Sequence, residues 1–192
     1  MNRFEFGMLV DGHTVRFERQ FPGPAEVVWC FLTTRGLLGT WLGEGSIECK
    51  IGGIVRIHSP ESSIRGFVTA CKPYSYLALS WEVSPNDGAS DKSLGWESHV
   101  TFELEARGDK TVLNLTHSPI TSSHFTRTLA LWHSHLDRLD ASMRQQQPEA
   151  FLRRFNRVLP EYEHRMGAYG SPPRVLPRRA QLQASGPVFR HA

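Results

Sequence analysis

The chain lacks the cysteine pairs and the short motifs on which disulfide scaffolds, zinc sites and phosphate-cofactor enzymes are built. It has three cysteines, Cys30, Cys49 and Cys71, in 192 residues. They are odd in number, widely spaced and without a C-x-x-C pair, so neither a disulfide framework nor a zinc site is indicated. Small buried thiols in a reducing compartment are expected instead. No apolar run approaches the ~20 residues of a membrane span. Met1–Gly12 carries Arg3, Glu5 and Asp11 where a signal peptide would be apolar. A soluble, cytoplasmic protein without a membrane partner is expected. There is no GxxxxGK[ST], no GxGxxG after a strand, no HExxH and no GxSxG. Phosphate-cofactor enzymes and serine hydrolases are therefore disfavoured, and no cofactor or metal is expected. Acid is missing from residues 167–192, which hold Arg174, Arg178, Arg179 and Arg190. The whole chain carries +3, so the remainder is close to neutral and no nucleic-acid face is expected.

What is present is periodicity. Phe4, Phe6, Met8 and Val10 alternate, Asp11-Gly12 marks a tight turn, and Thr14–Phe21 carries Val15, Phe17, Arg19 and Phe21 on one parity. Two strands in a hairpin are predicted. Pro22-Gly23-Pro24 ends the second and opens a helix over Ala25–Thr34, since proline is favoured at a first helical position. Gly36 breaks it, and Leu37–Leu42 reads as a second helical piece with Trp41. Ser46–Ser59 alternates around Gly52-Gly53, a bulge or sharp bend in one strand. Further strands are predicted at Arg65–Cys71, Tyr76–Val83, Trp96–Ala106 and Thr111–His117. A polar loop spans Ser84–Gly95, and Arg107-Gly108-Asp109 forms a turn.

The longest regular stretch is Ser122–Arg144. Its residues Phe125, Leu129, Trp132, Leu136, Leu139 and Met143 recur at alternating steps of four and three, which places them on one stripe of a helix. A stripe that regular needs a partner surface, and the run of short strands before it supplies one. An α+β domain is predicted, its curved antiparallel sheet wrapped around the long C-terminal helix, with two short helices after the first strands. Phe151, Leu152, Phe155, Val158 and Leu159 add a docked amphipathic helix near 149–159. The domain spans 1–166, and the basic Pro/Gly-rich tail at 167–192 is expected to be disordered.

The order of elements and several motifs resemble the SRPBCC superfamily, also called START-like or helix-grip. The nearest likeness is its bacterial branch similar to the C-terminal domain of the heat-shock-protein-90 ATPase activator. The motifs are FERQFPGPAEVVW (Phe17–Trp29), TWLG (Thr40–Gly43), IGG (Ile51–Gly53), G-x-V (Gly66–Val68) and LALSW (Leu77–Trp81). VTFELEARGDKTVLNLTH (Val100–His117) and LWHSHLDRL (Leu131–Leu139) complete them. Leu131 stands where the branch usually has glycine. The resemblance implies a helix-grip fold with an apolar cavity between sheet and helix, where relatives hold lipids, sterols or polyketides. Some relatives are cyclases or dehydratases.

Within that frame, His117 shares the inward parity of Leu113 and Leu115. An imidazole there could act as general acid/base. The alternative is a structural histidine holding the Ser118-Pro119 loop, and it weighs more. Trp81, Trp96, Phe102 and Leu115 face inward by parity, while Phe125, Leu129 and Trp132 form the helix wall. Trp41 could cap the cavity. Core packing is the alternative for each of them: it weighs evenly with stacking for Trp81 and is the better reading for Leu129 and Trp41. His133, Asp137 and Asp140 read as a solvated flank of the helix, and His133 and His135, two residues apart, point to different sides. Arg56, His58, Glu97 and His99 read as surface. Arg19 falls on an apolar parity, where it could neutralise an acidic ligand, but a salt bridge near Glu18 or snorkelling to the sheet edge weighs more. The reading that follows is a binding module for a small hydrophobic or aromatic molecule. A polyketide cyclase, aromatase or dehydratase using His117 is the alternative, an activator-like protein-interaction partner a further one, and a homodimer is open.

Overall fold

A computed structural model of the chain describes residues 6–59, 62–85 and 98–170. Strand β1 (Met8–Val10) turns at Asp11 into β2 (Thr14–Pro22). Asp11 and Gly12 both adopt positive φ, 53° and 76°. The Asp11 carboxylate holds the turn by accepting from the His13 N–H at 3.2 Å and the Thr14 hydroxyl at 3.4 Å. Helix α1 (Ala25–Thr33) and a single turn, α2 (Arg35–Leu38), follow. Strands β3 (Glu44–Ile47), β4 (Ile54–His58), β5 (Ser62–Lys72), β6 (Tyr76–Pro85), β7 (Ser98–Arg107) and β8 (Lys110–Ser118) complete one antiparallel sheet. A 3-10 turn at Ser122–His124 leads into α3 (Phe125–Met143), and α4 (Phe151–Gly170) closes the described chain.

The strand order is β1-β2-β8-β7-β6-β5-β4-β3. Register aligns one inward row after another: Val15 with His117, His117 with Val100, Val100 with Leu79. A second row runs through Phe17, Leu115, Phe102 and Leu77. All eight of these side chains are buried, and their alternation with exposed residues is what one covered sheet face demands. Helix α3 covers it. Phe125, Leu129, Trp132, Leu136 and Leu139 are buried, and Met143 is packed on the core edge. This is the helix-grip arrangement.

The β5–β6 pair is irregular and closely approached. A side chain at Gly66 would collide with the Ser80 carbonyl oxygen. The Phe67 N–H is taken by the Ser80 hydroxyl at 2.9 Å, and the register slips between Val68 and Ala70. Such irregularities let an antiparallel sheet curl around a helix.

Several expectations need correction. Residues 46–59 are not one bent strand: β3 and β4 pair with each other, with Ile47 opposite Val55, and Gly52, at φ 77°, lies in the connecting loop. Ile51 is consequently 76% exposed. The second helical piece ends at Leu38, and Trp41 is buried from a turn. Helix α4 continues past 159 through Pro160. Burial of Val158 and Tyr162 on the same side offsets the missing N–H of the proline. The cysteines are not buried: Cys30 and Cys49 are exposed and Cys71 is half-buried. Phe4, Glu97 and residues 171–192 lie outside the described residues.

Candidate functional site

At the β6–β7 end of the sheet, one chain of hydrogen bonds joins strand and helix. The Trp132 indole N–H donates to His117 Nδ1 at 3.0 Å. His117 Nε2 lies 2.8 Å from the Ser98 hydroxyl, which in turn donates to the Trp81 carbonyl at 2.8 Å. A carbonyl can only accept, so Ser98 spends its proton there and accepts from His117. This fixes the Nε2–H tautomer and occupies both ring nitrogens. Burial, with His99 a smaller contributor, pushes the His117 pKa down to about 3. The imidazole is neutral throughout the physiological range.

Rings surround it. Trp81 meets Trp132 at a centroid distance of 5.5 Å, and Trp132 meets Phe102 at 6.1 Å, His117 at 6.0 Å and His135 at 6.2 Å. Trp81–Trp132 is tilted and the other three are edge-to-face; aromatic contacts of this kind add roughly 0.5–1.5 kcal/mol each beyond the area they bury. Leu115 lies under this group in register with Phe102. Leu129 and Phe125 extend the helix wall toward the start of α3 and are buried. Trp41 joins from the other flank: its N–H donates to the Phe31 carbonyl at 2.9 Å, and its ring stands 6.5 Å from His135. His135 donates through Nδ1 to the Trp41 carbonyl at 2.9 Å, and burial lowers its pKa to about 4. The structure thus brings Trp81, Phe102, Leu115, His117 and Trp132 into one group, with Trp41 linked through His135. Trp96 lies outside the described residues.

A second polar group overturns an expectation. His133 and Asp137 are not a solvated flank, because α4 packs over that side of α3. His133 is buried, with Nδ1 2.9 Å from the Tyr162 hydroxyl and Nε2 2.9 Å from the Arg154 guanidinium. Arg154 also donates to Asp137 at 2.5 Å, and Arg19 reaches the same carboxylate at 3.6 Å. Tyr162 accepts the Gly7 N–H at 2.9 Å. Burial alone would raise the Asp137 pKa, but His133, Arg154 and Arg19 hold it below the usual carboxylate range. Burial depresses His133 and raises Tyr162. The arrangement ties α4, α3, β2 and the N-terminal segment together. Arg19 on an apolar parity and the four-residue step from His133 to Asp137 were its signals in the sequence, and Tyr162 continues the Phe155 and Val158 stripe by another four residues. Asp140, by contrast, pairs at the surface with Arg144 at 2.8 Å, and Arg56, His58 and His99 are exposed as expected. Ser98 was missed as well, although it shares the inward parity of Val100 and Phe102.

The outer face of β4–β6 carries a half-open groove of about 810 Å³ lined by Ile54, Arg56, Arg65, Phe67, Ser80 and Glu82, with Gly66 and Trp81 among its walls. Phe67 is 59% exposed there. Among the described residues, no cluster of three or more metal-ligating side chains occurs, and no helix is long and apolar enough to cross a membrane.

Comparison with known families matches residues 22–144 to the model described as Activator of Hsp90 ATPase homolog 1-like protein. The chain belongs to this family. Members and their structural kin share its frame. CalU16 from Micromonospora echinospora superposes with a TM-score of 0.62 at 18% identity, over 83% of this chain and 93% of that one. DynU16, described as a protein in the dynemicin biosynthetic locus, gives 0.61 at 22% identity, over 71% of this chain and 49% of its own. The Aha1 dimer from Colwellia psychrerythraea gives 0.56 at 19% identity, over 68% and 95%. These likenesses establish the fold. No curated protein matches the chain.

Proposed function

We propose that this member of the family is a binding protein for a small hydrophobic or aromatic molecule. The molecule is held between the sheet and α3 against the wall of Trp81, Phe102 and Trp132, with Leu115, Leu129, Phe125 and Trp41 around it. The observation that carries this reading is the wall itself. Three large rings converge from β6, β7 and α3, and their polar companion His117 is neutral with its hydrogen bonds internal. The three rings are buried against one another, so a ligand enters by parting them, and the uncharged wall it then meets suits an uncharged planar molecule. A ligand ring replaces ring–ring contacts, so little binding energy is spent on desolvating polar groups. DynU16 is described as lying in the dynemicin biosynthetic locus, a setting in which a small-molecule role for a protein of this fold makes sense.

The cyclase alternative gives His117 a different task. To take a proton, the imidazole must first release the Trp132 N–H, and a pKa of about 3 makes it a weak base. That observation favours binding over turnover. A homodimer is consistent with the Aha1 dimer, and light scattering on the purified chain separates monomer from dimer.

The test is fluorescence titration with N-phenyl-1-naphthylamine, an uncharged aromatic probe. Saturable one-to-one binding is expected, weakened about tenfold in Trp81→Ala, as loss of roughly 1.4 kcal/mol of stacking and burial requires. Absence of saturation, or equal affinity in a folded Trp81→Ala variant, would refute the proposal.

A further inference from the structure

Cys49 and Cys71 are 22 residues apart in sequence, and their spacing suggests no pairing. The fold brings them together. The loop between β3 and β4 is stitched to β5 by two backbone bonds, Gly52 N–H to the Val68 carbonyl and Val68 N–H to the Gly53 carbonyl, both 2.8 Å. Cys71 lies three residues further along β5. Its thiol sits 3.5 Å from the Cys49 carbonyl oxygen, and the Cys49 thiol, 3.8 Å from the Ile47 carbonyl, has the Cys71 thiol among its electrostatic neighbours. Cys49 is exposed, so an oxidant reaches it, and the half-buried Cys71 is its neighbour. The third cysteine, Cys30, is exposed on α1.

We propose that Cys49 and Cys71 form a peroxide-responsive dithiol that closes to an intramolecular disulfide. The Cys49 thiolate attacks one oxygen of hydrogen peroxide. An S–O bond forms, the O–O bond breaks, and the departing hydroxide takes up the proton that the thiol released on ionising and leaves as water. Cys71 then attacks the sulfenic sulfur of Cys49. The S–S bond forms, the S–O bond breaks, and a second water leaves. Two thiols are oxidised and one peroxide is reduced. An external dithiol reverses the reaction. Burial and the neighbouring Cys71 thiol raise the Cys49 pKa, so the rate should climb between neutral and mildly alkaline pH as the thiolate becomes available. The bond would fasten the β3–β4 loop, now held by a few backbone contacts, to β5.

Tryptic cleavage separates the three cysteines into segments 20–35, 36–50 and 66–92, so pairing can be read directly. The full chain is treated with hydrogen peroxide, quenched, denatured and analysed by thiol titration and by non-reducing peptide mass spectrometry. Reactive thiols should fall from three to one, with segments 36–50 and 66–92 linked and two hydrogens lost. Cys30→Ser should still form the link, and the oxidised chain should melt at a higher temperature than the reduced one. In Cys71→Ser, peroxide should instead drive Cys49 to sulfinic or sulfonic acid. Retention of all three thiols, a link through Cys30 between chains, or over-oxidation of Cys49 without a link in the unaltered chain would overturn the proposal.

Discussion

The wiring of His117 predicts a specific response to acid. In the folded chain its pKa is about 3, whereas in the unfolded chain it returns to about 6.5. The folded-state value is depressed, so the unfolded state binds the extra proton. The stabilisation is complete above pH 6.5 and is lost progressively as pH falls from there toward 3. The slope is about 1.4 kcal/mol per pH unit, so by pH 5 this one residue costs about 2 kcal/mol. His117→Gln removes the titration. It also disturbs the bonds to Trp132 and Ser98, so at pH 7 the variant should be less stable by about 1–3 kcal/mol. Urea unfolding of both proteins at pH 7, 6 and 5 is the assay. The gap between them should shrink by about 2 kcal/mol between pH 7 and pH 5, even though both proteins lose stability through other groups such as His135. Parallel profiles, with a gap independent of pH, would show that His117 titrates as an ordinary exposed histidine and that the hydrogen-bond chain does not hold it neutral.

Two further expectations concern the frame around the site. Gly66→Ala drives a methyl group into the Ser80 carbonyl where β5 and β6 approach closely; a loss of about 1–3 kcal/mol in chemical denaturation is expected, and an unchanged midpoint would mean that β5 relaxes freely. Tyr162→Phe removes the hydroxyl that accepts the Gly7 N–H and meets His133. Stability should fall by about 1 kcal/mol and the Gly7 amide should exchange faster with deuterium, whereas unaltered exchange would place the N-terminal segment's anchor elsewhere.

The elements that were legible in the sequence are those whose period is enforced by burial on one side. The stripe from Phe125 to Met143 needed nothing beyond its own spacing, and neither did the inward parities of β2, β7 and β8. Short segments were less legible. Residues 46–59 contain alternation on both sides of Gly52-Gly53, and alternation alone cannot say whether the strand bends or folds back on itself. Pairing of Ile47 with Val55 decides that, and pairing is a long-range event. Helix α4 was undercut by Pro160, whose local preference is overruled by burial of Val158 and Tyr162.

The sequence by itself determined the class of the protein: an amphipathic helix of fixed stripe, a set of one-faced strands, and therefore a sheet that must close over that helix. It also determined that His117 and Trp81 face the same interior, because side-chain direction in a strand is set by parity. Only the tertiary structure decided what those side chains do. Whether a buried histidine is a base or a spacer depends on its partners, and Trp132 and Ser98 come from α3 and the start of β7. Whether His133 and Asp137 meet water or Arg154 depends on where α4 lands. Whether Cys49 and Cys71 ever meet depends on two backbone bonds between a loop and a strand. Each outcome is a contact between residues distant in the chain, and local periodicity carries no information about such contacts until the chain has closed.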